Sequence, residues 1–210
     1  MRGLIVTGTD TGIGKTVLAA GLVGALAQSF GQARYWKPVQ AGLAEETDSE
    51  AVARLVPGAT IHAEAYRLVT PASPHLAARI DGVDIVAARL ALPAGAGPII
   101  VEGAGGALVP LSETRLYAEQ FVVWGLPVVI VARTSLGTIN HSLLTIEALR
   151  GRGVPIAGIA FVGPAEPESE TIIATLGQVR RLGRLPILPD LTPVSLAAAM
   201  AEHFDLMDIL

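Results

Sequence analysis

Residues 3–22, GLIVTGTDTGIGKTVLAAGL, run from an apolar strand through a glycine-containing loop into Gly14-Lys15-Thr16 and then into a helix-forming segment. This order confines the chain's start to a strand–loop–helix unit whose loop cradles phosphate. Glycines let backbone N–H groups crowd around phosphate oxygens, and the N-terminus of the following helix adds its positive dipole. Lys15 can reach the β/γ-phosphates and the Thr16 hydroxyl can ligate Mg²⁺. The spacing is a variant: five positions before Gly14, where a glycine is usual, stands Thr9, with Gly8 one residue further out. A strand-to-helix turn that merely contains Gly-Lys-Thr is the bland alternative, and the flanking strand and helix argue against it. A dinucleotide site is a poor competitor, because GxGxxG is absent and lysine followed by threonine is a triphosphate feature. Hydride transfer is therefore disfavoured.

Short apolar runs and helix-compatible segments then alternate. Strands are predicted at residues 4–6, 33–37, 99–102, 127–132, 156–162 and 185–188, and helices at 15–29, around 49–56, 116–124, 139–152, 168–182 and within 196–206. The alternation implies an α/β fold with a mostly parallel central sheet and helices on both faces. Residues 60–97 break the beat with Pro71, Pro74 and helix-like stretches at 77–79 and 83–92, and read as an insertion over one end of the sheet. The stretch 158–167, with its glycines and prolines, reads as a strand end plus a mobile loop. No repeat or linker divides the chain, so one domain over 1–210 is expected.

Composition supports a doubly covered sheet. Apolar residues make up 51% of the 210 and charged residues 16%, against roughly 25% charged in ordinary soluble domains. Mean hydropathy is +0.53. The longest apolar runs, 17–27 and 121–132, fall short of the roughly 20 residues of a spanning helix, so no membrane role is expected. The opening MRGLIVTGTD turns polar too soon for a secretory signal. Zero cysteines removes disulfides and thiolate chemistry and fits a cytoplasmic enzyme. A formal charge of −4 argues against nucleic acid or anionic lipid as partner.

Further candidates lie at strand ends. The apolar run 98–101 delivers Glu102 into Gly103-Ala104-Gly105-Gly106, the place of a metal-binding carboxylate after a central strand, with glycines that let backbone approach phosphate. Lys37 follows the second strand at its carboxyl end, where open α/β sheets bind ligands; taken bare, it also suits a surface charge. Asp48, in EETDSE, suits either an Mg²⁺ ligand or a helix cap.

Taken together, GTDTGIGKT, KPVQAG, TDSE, SPH at 73–75, VEGAGG at 101–106, PLSE at 110–113 and LGTINH at 136–141 resemble the dethiobiotin synthetases, in the family's order and along most of the chain. The resemblance implies a homodimeric P-loop ligase. It takes 7,8-diaminononanoate, CO₂ and ATP with Mg²⁺, and closes a ureido ring through a carbamate and a carbamic–phosphoric anhydride. It also implies residue roles. Lys37 would steady the carbamate and the migrating phosphoryl group. Lys15 and the backbone of Gly12, Ile13, Gly14, Thr16 and Val17 would hold the nucleotide, with Gly103, Ala104 and Gly105 facing the phosphates. Thr16, Asp48 and Glu102 would hold Mg²⁺. Thr11 and the segment after Lys37 as far as Ala41 would line the diamine site, and Gly137, Thr138, Ile139 and Asn140 would receive the substrate carboxylate across the dimer interface. For that last stretch, an ordinary helix start capped by Thr138 is the competing reading.

Two departures stand out. Ala41 occupies a position where members often carry a substrate-touching serine, leaving Gln40 as the nearby polar group. AFVGPAEP, after the strand at 156–162, offers no asparagine for the adenine edge, which points to backbone near Pro186, Ile187 and Leu188 for the base. The four histidines, His62, His75, His141 and His203, have no ligand spacing, and Arg150, Arg152, Arg180, Arg181 and Arg184 suit a solvated face. Among rivals, an amide-forming ligase of the cobyrinic acid diamide synthase kind needs a glutaminase cysteine that this chain lacks. A partition-type switch ATPase carries an extra loop lysine where Asp10 stands here.

Overall fold

The computed structural model describes residues 3–205. In chain order the strands are β1 (Gly3–Gly8), β2 (Arg34–Trp36), β3 (Val39–Ala41), β4 (Thr60–His62), β5 (Tyr66–Leu68), β6 (Ile99–Gly106), β7 (Pro110–Ser112), β8 (Arg115–Leu116), β9 (Val128–Arg133), β10 (Ile156–Val162) and β11 (Arg181–Leu185). The helices are α1 (Lys15–Phe30), α2 (Asp48–Leu55), α3 (Pro74–Asp81), α4 (Tyr117–Trp124), α5 (Thr138–Arg150), α6 (Pro167–Gly177) and α7 (Pro193–His203), with a 3₁₀ turn at Ala87–Leu90. Seven strands form the main sheet in the order β11-β10-β9-β1-β6-β2-β4, all neighbours parallel. Two small sheets, β3 with β5 and β7 with β8, stand beside it. No helix among the described residues is long and apolar enough to cross a membrane.

The sheet is buried from both sides, which is why its strands read as unbroken apolar runs. Ile5, Val101, Val128, Ile130 and Phe161 pack on one face with Phe121 and Trp124 of α4 and Ile146 of α5. Leu4, Val6, Ile100, Val129 and Val131 pack on the other with Leu18, Leu22 and Leu26 of α1 and Leu196 and Met200 of α7. Since every strand runs the same way, the loops that follow β1, β2 and β6 open at one edge and converge there.

Five sequence expectations are corrected. The last sheet strand is Arg181–Leu185, not 185–188, and α6 stops at Gly177 because Gln178 turns left-handed with φ 47°; RLGRL then pairs with β10 as its outer neighbour. The helix expected at 83–92 is reduced to the short 3₁₀ turn, pinned by Trp124 Nε1, which donates to the Leu90 carbonyl at 2.6 Å. The segment from 60 does not begin as an insertion, because β4 pairs with β2 as the sheet's edge. The final helix starts earlier, at Pro193 behind the Thr192 cap, and ends at His203; the expected end at 206 lies outside the described residues.

Candidate active site

The chain leaves β1 at Gly8, forms the phosphate loop, and enters α1 at Lys15. Gly14 closes that loop with φ 90°, a conformation only glycine adopts readily. Lys15 is buried, and its Nζ donates to the Asp10 carbonyl at 2.7 Å. Burial, helped by the nearby Lys37 ammonium, lowers its pKa to about 8.

Glu102, wholly buried on β6, is the hub of the site. Its Oε2 accepts the Tyr35 hydroxyl at 2.8 Å, while Oε1 lies 3.1 Å from Lys37 Nζ and 3.0 Å from Thr16 Oγ1. Burial raises its pKa against the opposing pull of Lys37. Asp48 completes the cluster: its Oδ2 is 2.5 Å from Lys37 Nζ and its Oδ1 is 2.8 Å from Thr16 Oγ1. Asp48 is not the helix cap. Thr47 caps α2 in a reciprocal box with Glu50, which leaves the Asp48 carboxylate free to face the site.

Lys37 is 4% exposed. Its ammonium points to Asp48 Oδ2, Glu102 Oε1 and the Gly103 carbonyl, the last at 2.9 Å, so all three protons have acceptors. Burial acts to lower its pKa, but the carboxylates of Glu102 and Asp48 outweigh burial and hold the ammonium above its usual range. A lysine thus caged is a fixed cation rather than a base. Two carboxylates and a hydroxyl within hydrogen-bond reach of one another form a hard oxygen set that fits Mg²⁺ with the rest of its shell left to phosphate and water.

Two clefts meet at the phosphate loop. One, of about 700 Å³, is lined by Thr11 to Val17, Lys37, Gln40, Ala41, Asp48, Ser73, Glu102, Ala104 and Gly105. The other, of about 680 Å³, shares Gly12, Ile13, Gly14 and Val17 and is walled by Val162, Pro186, Ile187, Leu188 and Leu191. Phosphates at the loop would therefore have a base cleft on one side and a substrate cleft on the other. Gly105, at φ 62°, has no room for a side chain: a Cβ there would stand 2.8 Å from Val109 Cγ2 and 3.2 Å from Thr11 Oγ1.

Most of the sequence candidates are brought together, but Gly137, Thr138, Ile139 and Asn140 line neither cleft. They open α5 behind β9, with Gly137 rather than Thr138 at the cap position and the Thr138 hydroxyl donating back to the Arg133 carbonyl at 2.5 Å. Gln40 is also differently occupied, since its carboxamide oxygen accepts the Asp48 N–H at 3.2 Å and so helps set the start of α2. Sequence reasoning missed Tyr35 and Arg133. Tyr35 was detectable only as a polar atom on a buried strand next to Lys37. Arg133 ends β9 and forms an ion pair with Asp10.

Phosphate loop, carboxylate strand and buried lysine along one edge of a parallel sheet define a P-loop NTPase-type enzyme. Solved structures agree on the fold alone. A ParA family ATPase from Chlorobium tepidum covers 96% of this chain and 93% of its own at TM-score 0.53 and 12% identity, and a MinC:MinD cell division complex from Aquifex aeolicus covers 95% and 86% at TM-score 0.56 and 12% identity. A family model described as an AAA domain matches residues 2–195. Proteins named ATP-dependent dethiobiotin synthetase BioD are far more alike: that of Agrobacterium fabrum is 56% identical over 98% of this chain and 96% of its own, and that of Sphingopyxis alaskensis 60% over 99% of both. The chain belongs to the ATP-dependent dethiobiotin synthetase family.

Proposed function

We propose that this chain, acting as one ligase domain, closes a ureido ring on 7,8-diaminononanoate with CO₂ and ATP, giving dethiobiotin, ADP and phosphate in biotin synthesis. The observation that carries the reading is Lys37, a buried cation fixed where the phosphate loop meets the substrate-side cleft, in a chain with near full-length likeness to the family. One substrate amine captures CO₂ as a carbamate and loses a proton. A carbamate oxygen then attacks the γ-phosphorus and ADP leaves. The second amine attacks the carbonyl carbon of the resulting anhydride, and phosphate departs as the ring closes.

The protein's part is positional and electrostatic. Lys37, held by three acceptors, offers positive charge where the carbamate and transferring phosphoryl oxygens become more negative, a fixed cation that needs no reorganisation during reaction. Lys15 and the loop N–H groups hold the phosphates, and Thr11, Gln40, Ala41 and Ser73 shape the cleft that would keep the diamine in line. Thr16, Asp48 and Glu102 are the residues that would hold Mg²⁺, which when bound neutralises charge on phosphate oxygens.

A homodimer suits the surface around α5, where Leu136 is fully exposed and Ile139 and Leu144 are also exposed. In that assembly Gly137, Thr138, Ile139 and Asn140 would serve the substrate carboxylate of the other protomer. The reducing cytoplasm is the compartment proposed for this cysteine-free chain. In the deciding assay, phosphate release requires Mg²⁺, CO₂ and the diamine together. Equal turnover without the diamine would instead indicate a nucleotide-driven switch.

A further inference from the structure

Asp10 poses an electrostatic problem, because a carboxylate within a phosphate-binding loop repels the polyphosphate that the loop must attract. Three contacts define its setting. Its Oδ1 accepts the Thr11 N–H at 2.8 Å, its carbonyl accepts Lys15 Nζ at 2.7 Å, and its Oδ2 is ion-paired with Arg133 Nη2. Arg133 is the last residue of β9, and the loop is tied to that strand again through the Thr9 N–H, which donates to the Val131 carbonyl at 3.0 Å. Arg133 also belongs to the wall of the base cleft, alongside Gly12, Ile13 and Gly14.

We propose that Arg133 is a positioning residue for ATP: it neutralises Asp10, so that Lys15 and the loop N–H groups meet phosphate without an opposing charge. The pair contributes little to folding. Both side chains are about two-fifths exposed, at 40% and 44%, and ion pairs in such settings contribute little net stability. Its effect falls on the ligand instead, because an uncompensated carboxylate in the loop that binds the triphosphate would repel the phosphate charges.

The inference rests on the loop being the ATP site, and the experiment separates the two. Binding of a non-hydrolysable ATP analogue is measured by calorimetry for the wild-type protein, R133Q, R133K, D10N, the D10N/R133Q double variant and K15Q. R133Q is expected to weaken binding about tenfold, with the loss shrinking as salt rises. D10N/R133Q should return to within about twofold of wild type, since the charge needing compensation is gone, and R133K should lie between. A structural defect would not be repaired by removing Asp10. R133Q binding like wild type, or D10N failing to restore it, would overturn the proposal. K15Q binding as tightly as wild type would instead remove the ATP site from this loop.

Discussion

The three acceptors around Lys37 make its charge, rather than proton donation, the useful property. Lys37→Gln should therefore abolish ring closure while leaving nucleotide binding within about threefold, whereas Lys15→Gln should weaken both; equilibrium binding beside a product assay separates the two. Lys15 adds a pH signature. Its pKa of about 8, against 10.5 for an ordinary lysine, means that the unfolded chain holds this proton more tightly between those values. The group's unfavourable contribution to folding is thus full below about 8 and fades as pH rises toward 10.5. Phosphates favour its ammonium form, so ATP binding above pH 8 should take up a proton, and affinity should fall by up to about tenfold per pH unit there. Calorimetry in two buffers of different ionisation heat would read the uptake directly, and identical heats after protein correction would remove Lys15 as its source. Tyr35→Phe tests the hub. Stripped of its 2.8 Å donor, Glu102 Oε2 would be a buried oxygen without a partner, which costs about 1–3 kcal/mol and should weaken Mn²⁺ binding followed by electron paramagnetic resonance.

At the level of elements, α2 shows how a local motif serves the site. Thr47 and Glu50 exchange side-chain and backbone hydrogen bonds, so that the helix begins at Asp48 with its carboxylate turned toward Lys37 and Thr16. Thr47→Ala should cost about 1 kcal/mol of stability and raise the Mg²⁺ concentration needed for half-maximal activity. Thr47→Ser, which keeps the acceptor, should restore both, and an unchanged Mg²⁺ requirement in the alanine variant would uncouple the cap from the site. What could be read from sequence follows the same logic. Lys15, Thr16, Lys37 and Glu102 stand at strand ends or in a loop of fixed spacing, so the nature of each neighbourhood was written locally. Tyr35 and Glu102 are 67 positions apart and Asp10 and Arg133 are 123 apart; such pairings exist only once β1, β2, β6 and β9 lie side by side. The end of α6 was illegible for a related reason. RLGRL suits helix or strand by composition, and pairing with β10, together with the left-handed Gln178, decides for strand.

The whole molecule places the phosphate loop between two clefts, and selectivity at each depends on what the surrounding elements supply. In the base cleft, Val162, Pro186, Ile187, Leu188 and Leu191 form apolar walls, and the polar side chains are those of Arg133, Thr134, Ser135 and Glu166. Arg133 is engaged with Asp10, and Thr134 is buried against Gly163, so neither is free to read a base edge. Ser135 and Glu166 stand exposed to solvent at the rim of this cleft, which leaves it with enclosure by apolar walls, and enclosure without dedicated hydrogen bonds discriminates among ligands only modestly. A site that makes dedicated side-chain hydrogen bonds rejects the wrong partner by about 10⁴-fold or more. The chain should accordingly turn over CTP and GTP with kcat/KM within about a hundredfold of ATP, a span that enclosure alone can supply. The comparison is made in the diamine-dependent assay at fixed Mg²⁺. Discrimination of about 10⁴-fold in favour of ATP would show that a dedicated hydrogen bond, from a side chain or from the backbone near Pro186, Ile187 and Leu188, reads the adenine edge. Glu166 would then be the residue to change first, as the ionisable group of this cleft that is neither paired with Asp10 nor part of the phosphate loop.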